Sequence, residues 1–224
     1  MNNDHPHKDQ PIMYAGQDLA DAQAALILVH GRGASAADIL TLVPELDRPD
    51  FAYLAPLASG NTWYPYSFLA PIPQNEPGIS SGMAVLSHLI EQIVEAGIPH
   101  ERIMIGGFSQ GACLATEFVA RHARRYGGVL GFSGGLIGPD GTPRDYEGDL
   151  AGTPVFLGCS DVDPHIPKAR VGLTADVLQR LGGDVTLRLY RGMGHTINQD
   201  EIEFAKELMA QVAERPVAEQ EESA

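Results

Sequence analysis

Residues 107–111 read GFSQG and place Ser109 at the centre of a GxSxG pattern. A serine hydroxyl is a poor nucleophile unless an imidazole takes its proton, and the imidazole works best when a carboxylate fixes its tautomer. With such partners, Ser109 would attack an acyl carbon. The pattern by itself is weak evidence, since about one random chain in eight with this glycine and serine content would contain it.

The surroundings of Ser109 make the pattern more specific. Residues 102–105, RIMI, are mostly apolar and predict a strand, and the small and apolar residues after Gly111 predict a buried helix. The serine then lies on a tight strand-to-helix turn. Glycines two positions away on either side leave room there for the closely approaching backbone. We therefore predict Ser109 to be the nucleophile.

The acid and the base are expected at later strand ends, in the chain order serine, acid, histidine. Asp163 follows the apolar run 154–158 and precedes a proline that keeps it extended. Asp161 is its competitor, and we expect it instead to accept backbone N–H bonds within its own turn. His195 follows the last predicted strand on a glycine-containing loop, before a capped helix. We predict Asp163 as the acid and His195 as the base.

The other histidines fit the role of base less well. His5 and His7 fall in a start that we expect to be disordered, and His165 is too close to Asp163 in sequence to face it easily. The remaining ones are expected on helices, at helix ends or at a buried strand end: His88, His100, His122 and His30. His30 is expected to be a hydrogen-bonded structural residue.

Stabilisation of a tetrahedral oxyanion needs two N–H donors. Residues 30–33, HGRG, directly follow the apolar run 24–29, and glycines at such a strand exit free backbone N–H groups to point into a site. We predict the main-chain N–H groups of Arg32 and Gln110 as the two donors. The alternative is a glycine-rich turn with no catalytic part.

Two connections, residues 59–79 and 134–152, are long for simple turns. The first carries TWYPYSFLAPIPQNEP, and aromatic loops of this kind often line a pocket. Our predicted substrate-binding residues are Trp63, Tyr64, Phe68 and Leu136. The alternative is that the aromatic side chains cap the core under a long loop.

The elements that must position these residues alternate between short apolar runs and amphipathic stretches, which is typical of a mostly parallel sheet with helices on both faces. The predicted strands are 24–30, 51–55, 102–105, 128–132, 154–158 and 185–190. The predicted helices include 81–96, 167–181 and 199–212, the last capped by Asn198 and Glu201. The fold class is α/β.

The 224 residues, 44% of them hydrophobic, suit one domain. We expect residues 1–10 to be disordered, residues 11–214 to form the domain and residues 215–224 to be an acidic disordered tail. The polar start contains neither a signal peptide nor a spanning helix, so we expect a cytoplasmic protein without stable membrane insertion.

The net charge of −14 repels nucleic acid phosphates and anionic membrane surfaces alike. The two cysteines and the histidines lack ligand spacing, so no metal or cofactor is expected. The expected partner is a small-molecule ester, and a homodimer is possible.

With these residues placed, the chain resembles the phospholipase/carboxylesterase family of α/β-hydrolases, which includes bacterial carboxylesterases and acyl-protein thioesterases. The matching stretches, within residues 26–197, are LILVHGRGA, NEPGIS, GFSQGA, DVDPHIP and GMGHTI. The resemblance implies an α/β-hydrolase fold without a large lid domain. It implies a catalytic triad of Ser109, Asp163 and His195, with an oxyanion hole at Arg32 and Gln110.

One departure concerns the substrate. Thioesterase-type members usually carry HGLGD where this chain has HGRGA, so a basic side chain stands at the pocket rim. We hypothesise that Arg32 selects substrates with a negative or polar group. The expected function is a serine carboxylesterase for short- to medium-chain esters, with an acyl-protein thioesterase or lysophospholipase as the alternative. A dienelactone hydrolase, which normally uses cysteine, and an inert binding module are disfavoured because serine, acid and histidine are all present.

Overall fold

The computed structural model describes residues 4–214. Within them, seven strands form one sheet: β1 (Ile12–Gly16), β2 (Ala24–Val29), β3 (Phe51–Pro56), β4 (Ile103–Phe108), β5 (Gly128–Phe132), β6 (Pro154–Ser160) and β7 (Asp184–Tyr190). The α-helices are α1 (Ala36–Leu40), α2 (Val43–Leu46), α3 (Gly78–Glu95), α4 (Gln110–Arg121), α5 (Lys168–Arg180) and α6 (Gln199–Glu214).

The strand order across the sheet is β1-β3-β2-β4-β5-β6-β7. Every neighbouring pair is parallel except β1 and β3. The carboxyl ends of parallel strands meet at one edge of a sheet, which is where open α/β sheets bind ligands. The loops after β2, β4, β6 and β7 therefore converge.

Two apolar layers cover the sheet. One face packs against α3, α4 and α5, and the other packs against α1, α2 and α6. All six residues of β2 are buried, because their side chains alternate between the two layers: Ile27 joins the first and Leu28 the second. The predicted α/β class with helices on both faces is confirmed.

The six predicted strands are present, with ends shifted by no more than three residues. β1 was not predicted. It is a half-exposed edge strand whose sequence, IMYAG, is a short apolar run without a period of two, and its burial does not alternate cleanly. Helix α3 begins at Gly78, three residues before the predicted start.

Within residues 4–10, the structure differs from the expectation of disorder over residues 1–10. His7 is only 3% exposed, and its backbone N–H donates to Ser81 Oγ over 3.0 Å. Its ring hydrogen-bonds the Trp63 carbonyl and the Ser59 N–H. The expectation rested on the overall polarity of residues 1–10. That polarity does not reveal that one side chain, His7, packs on the long aromatic loop. Residues 1–3 and the predicted acidic tail, 215–224, lie outside the described residues.

None of the helices within residues 4–214 has the length and apolar character needed to cross a membrane.

Candidate active site

Ser109 occupies the turn between β4 and α4, with φ 57° and ψ −119°. A non-glycine residue rarely adopts such a conformation, which is held here by its surroundings. The Ser109 N–H donates to the Phe132 carbonyl of the neighbouring strand over 2.9 Å. A Cβ at Gly111 would lie 2.0 Å from the Val29 oxygen, and one at Gly107 would lie 2.6 Å from the same atom. Both glycines are required for the strand and helix to approach this closely.

Ser109, His195 and Asp163 come together at the carboxyl edge of the sheet. His195 Nε2 lies 2.8 Å from Ser109 Oγ, and His195 Nδ1 lies 2.7 Å from Asp163 Oδ2. The three residues follow β4, β7 and β6 respectively. This arrangement allows an imidazole to take the serine proton while a carboxylate holds its tautomer.

The Asp163 carboxylate is fully enclosed, with 0% of its side chain exposed. Burial by itself would raise the pKa of this carboxyl, but the hydrogen bond to His195 and the N–H groups of His165 and Ile166 outweigh it, so the pKa lies below its usual value. Both N–H groups reach Asp163 Oδ1, over 2.8 and 2.9 Å. Asp163 is thus held as an ionised carboxylate whose second oxygen is free to orient His195.

The loop that carries His195 is anchored by two hydrogen bonds to the residues just before the histidine. Asp161 Oδ1 accepts the Gly192 N–H over 2.8 Å, and the Ser160 hydroxyl donates to the Met193 carbonyl. We expected Asp161 to serve its own turn, but it instead joins the loop after β6 to the loop after β7. The two strands are adjacent in the sheet, so the side chain reaches across. Asp161 therefore positions the histidine loop and is not the partner of His195.

Arg32 and Gln110 lie beside Ser109, as expected from the adjacency of β2 and β4. Gln110 is the first residue of α4, so its N–H is one of the donors that a helix leaves free. The Arg32 N–H forms no hydrogen bond to any described residue. Both residues thus have a main-chain N–H without a hydrogen-bond partner among residues 4–214, and both line the cavity with Ser109. His30 is buried and its ring bonds the Gly31 carbonyl and the Ala58 N–H, which confirms its structural role.

A cavity of about 400 Å³ opens at Ser109 and His195. Tyr64 and Phe68 line it, as predicted. Trp63 and Leu136 do not line it, which corrects their assignment as substrate-binding residues. Trp63 is 0% exposed and its indole N–H donates to the His30 carbonyl. Leu136 is also 0% exposed and its backbone N–H donates to Thr174.

Six further side chains line the cavity without having been predicted as site residues: Ala34, Ser67, Phe108, Cys113, His165 and Ile166. Cys113 carried a usable signal, because a residue four positions after the serine lies on the same helix face. Phe108 is the last residue of β4, directly before Ser109, and the others lie on loops that fold back over the sheet edge. The His165 and His195 rings, for instance, meet edge to face with centroids 4.9 Å apart.

Across residues 4–214, no three His, Cys, Asp or Glu side chains are grouped closely enough to hold a metal ion.

Comparison with known proteins points to one family. The profile of the phospholipase/carboxylesterase family matches residues 16–213. Among solved structures, a phospholipase/carboxylesterase from Dyadobacter fermentans is similar to this chain with a TM-score of 0.87 and 40% sequence identity. That similarity covers 90% of this chain and 97% of the Dyadobacter chain.

Two fungal proteins named acyl-protein thioesterase 1 are also similar. The one from Eremothecium gossypii is 30% identical over 202 residues, which cover 79% of this chain and 83% of that protein. The one from Gibberella zeae is 33% identical over 135 residues, or 58% of this chain and 56% of that protein. The alignment with the Gibberella protein thus spans little more than half of its length.

Proposed function

This chain belongs to the phospholipase/carboxylesterase family of α/β-hydrolases, and we propose from this premise that it is a serine carboxylesterase acting on short- to medium-chain esters. The observation that carries the proposal is the chain of two hydrogen bonds from Ser109 through His195 to Asp163, of 2.8 and 2.7 Å. Within the family, this gives the hydrolase a nucleophile, a base and an acid in one continuous line.

In the first half of the reaction, Ser109 Oγ attacks the ester carbonyl carbon while its proton passes to His195 Nε2. The carbonyl π electrons move onto oxygen, and the N–H groups of Arg32 and Gln110 donate to that oxyanion. When the carbonyl re-forms, the C–O bond to the alcohol breaks, and the alcohol oxygen takes the proton from His195. Asp163 stabilises the imidazolium in between. The product is an acyl group on Ser109.

In the second half, water attacks the acyl carbon and its proton passes to His195 Nε2. The oxyanion is stabilised by the same two N–H groups. Collapse breaks the bond to Ser109 Oγ, which recovers its proton from His195. The carboxylic acid leaves and the free enzyme is restored, without any further reactant.

The preference for small esters is supported by the cavity. Its volume of about 400 Å³ is at the small end of the usual range for ligand sites, roughly 300–1,000 Å³. Two of its lining residues, Cys113 and Tyr64, are only 0% and 2% exposed. A long acyl chain would have to leave this cavity and lie along the surface.

The fungal relatives favour a second candidate, since they are named acyl-protein thioesterase 1. Thioester cleavage would use the same residues and the same steps, with a thiol as the leaving group. The chemistry at Ser109 does not separate the two candidates. The two candidates differ in the preferred length of the acyl chain and in the leaving atom, which is oxygen for an ester and sulfur for a thioester.

A fluorophosphonate probe tests the nucleophile. We expect covalent labelling of the wild type and none of Ser109→Ala, with Ser133→Ala as the control because Ser133 is a buried serine outside the cavity. Absence of labelling in the wild type would refute a serine mechanism. Hydrolysis of p-nitrophenyl esters from acetate to palmitate, beside the corresponding acyl thioesters, then separates the two candidates. If hydrolysis were fastest with long-chain acyl thioesters, the protein would be a thioesterase and not a carboxylesterase.

A further inference from the structure

His165 lies beside the catalytic base in the active-site cavity. It is exposed, and it lines the cavity together with Ser109 and His195. Its ring meets the His195 ring edge to face, with centroids 4.9 Å apart. Its backbone N–H donates to Asp163 Oδ1 over 2.8 Å, which fixes the position of the residue against the acid. His165 therefore contacts the acid through its backbone and the base through its ring.

The ring nitrogens of His165 form no hydrogen bond to any residue within 4–214. Two other polar side chains of residues at the cavity, Arg32 and Gln110, are engaged, since both donate to carbonyls of the long aromatic loop, residues 59–79. A neutral imidazole carries one N–H donor and one acceptor nitrogen. The His165 ring is therefore free to bind a polar group of the substrate.

The reaction places the alcohol part of the ester on the His195 side of the cavity. The alcohol oxygen must take a proton from His195 Nε2, so it lies within hydrogen-bond distance of that atom, roughly 3 Å. The carbonyl oxygen is held elsewhere, by the main-chain N–H groups of Arg32 and Gln110. Since the His165 ring packs on His195, it lies next to the alcohol part. A second oxygen two carbons along the alcohol is roughly 3–4 Å from the ester oxygen, within reach of that ring.

The charge of the protein indicates which polar group the alcohol carries. A net charge of −14 repels an anionic alcohol over long distances, which favours a neutral group. A hydroxyl is neutral and both donates and accepts a hydrogen bond, so it matches the two ring nitrogens of a neutral imidazole. A hydroxyl therefore fits the free ring of His165.

We propose that His165 hydrogen-bonds a hydroxyl group in the alcohol part of the ester, so that alcohols carrying a second hydroxyl are preferred to plain alkanols. The proposal rests on the proposed esterase function and deepens it. It assigns specificity for the leaving group to His165, which binds substrate but moves no proton in the reaction.

Two esters with the same acyl group and the same number of non-hydrogen atoms test the proposal: 2-hydroxyethyl butanoate and propyl butanoate. The measured quantity is the ratio of their kcat/KM values, divided by the ratio of their alkaline hydrolysis rates. We expect about 2 to 12 in the wild type, which corresponds to one hydrogen bond. We expect a value near one in His165→Phe. His165→Gln keeps a donor and an acceptor and should retain part of the preference.

His88→Phe is the matched control. His88 is an exposed histidine on α3 that does not line the active-site cavity, so its replacement should leave the ratio as in the wild type. A merely structural role of His165 would give a different result. If the change only disturbed His195, both esters would be slowed by the same factor, because both need the same proton transfer, and the ratio would stay at its wild-type value.

A wild-type ratio near one would overturn the proposal, as would equal ratios in the wild type and His165→Phe. The first result decides the matter even if His165→Phe fails to fold. If neither ester were hydrolysed although a fluorophosphonate probe labels Ser109, this proposal would fail while the serine mechanism stands. If neither ester were hydrolysed and Ser109 were not labelled, the esterase function would be refuted and this proposal with it.

Discussion

Arg32 and Gln110 donate side-chain hydrogen bonds to the same main-chain oxygen, that of Tyr64, over 2.9 and 2.8 Å. Arg32 also donates to the carbonyls of Pro65 and Tyr66, and Gln110 Oε1 accepts the Trp63 N–H. The two residues proposed to bind the oxyanion through their backbone thus hold the aromatic loop through their side chains. The loop that shapes the cavity and the oxyanion donors are one connected unit.

Arg32→Ala should therefore weaken catalysis for neutral and anionic esters alike. The backbone N–H remains, but the loop loses three bonds from a charged group, and we expect kcat/KM to fall about tenfold or more, mainly through KM. Steady-state kinetics on matched neutral and anionic esters measure this, with Arg48→Ala as the control because Arg48 pairs with Asp50 and does not line the cavity. A loss restricted to anionic esters would instead support direct selection of charge by Arg32.

In the double variant Arg32→Ala/Gln110→Ala, the fold loss in kcat/KM should be smaller than the product of the losses in the two single variants. Both side chains fix the same stretch of loop, so a loop released by one change has less to lose from the other. Kinetics of the two single variants and the double variant give the coupling. Strictly multiplicative effects would show that the two side chains act independently.

Asp163→Asn should lower kcat by about 10³- to 10⁴-fold without unfolding the protein. An amide does not hold the His195 tautomer or stabilise the imidazolium. Asp161→Asn is the matched control, because its amide oxygen still accepts the Gly192 N–H, and its kcat should fall less than tenfold. If Asp161→Asn were the more damaging change, the assignment of the acid would be reversed.

Gly111→Ala should prevent the turn at Ser109 from forming, because its Cβ would lie 2.0 Å from the Val29 oxygen. We expect loss of activity and of several kcal/mol of stability, as for other severe backbone clashes. Gly172→Ala on α5 meets nothing within 4 Å and should be neutral or stabilise by up to about 1 kcal/mol. Chemical denaturation measures the free energy of unfolding of both variants. Equal values would contradict a backbone clash at Gly111.

Glu201→Gln should change how stability depends on pH. Burial raises the pKa of Glu201 to about 7, whereas an unfolded glutamate titrates near 4.3. The folded protein therefore binds this proton more tightly, and the resulting stability is fully present below about pH 4.3 and is lost as pH rises through 7.

Urea unfolding at pH 5 and pH 8 measures the Glu201 effect. Over that range the wild type should lose roughly 2–3 kcal/mol more than Glu201→Gln, since glutamine does not titrate. Glu203→Gln is the control, because Glu203 lies on the same helix with its side chain 53% exposed. Parallel pH profiles for the wild type and Glu201→Gln would contradict a raised pKa.

The sequence was informative wherever burial imposes a pattern. β2 through β6 are recognisable because a strand covered on both faces must be apolar along its length, and α4 is recognisable because it packs directly on the sheet. Strand β1 and His7 were missed for the opposite reason. Each depends on a partner distant in sequence, β3 for one and the Trp63 loop for the other, and neither pairing leaves a local period.

The sequence by itself determined the fold class, the family and the order of Ser109, Asp163 and His195, because parallel strands bring their carboxyl ends to one edge whatever the loops do. The tertiary structure decided which side chains face the cavity. Trp63 and Tyr64 are neighbours in the same loop and both are buried, but only Tyr64 also lines the cavity. The loop backbone is held by hydrogen bonds that the main-chain groups of Trp63 and Tyr64 form with His7, Arg32 and Gln110, residues from elsewhere in the chain.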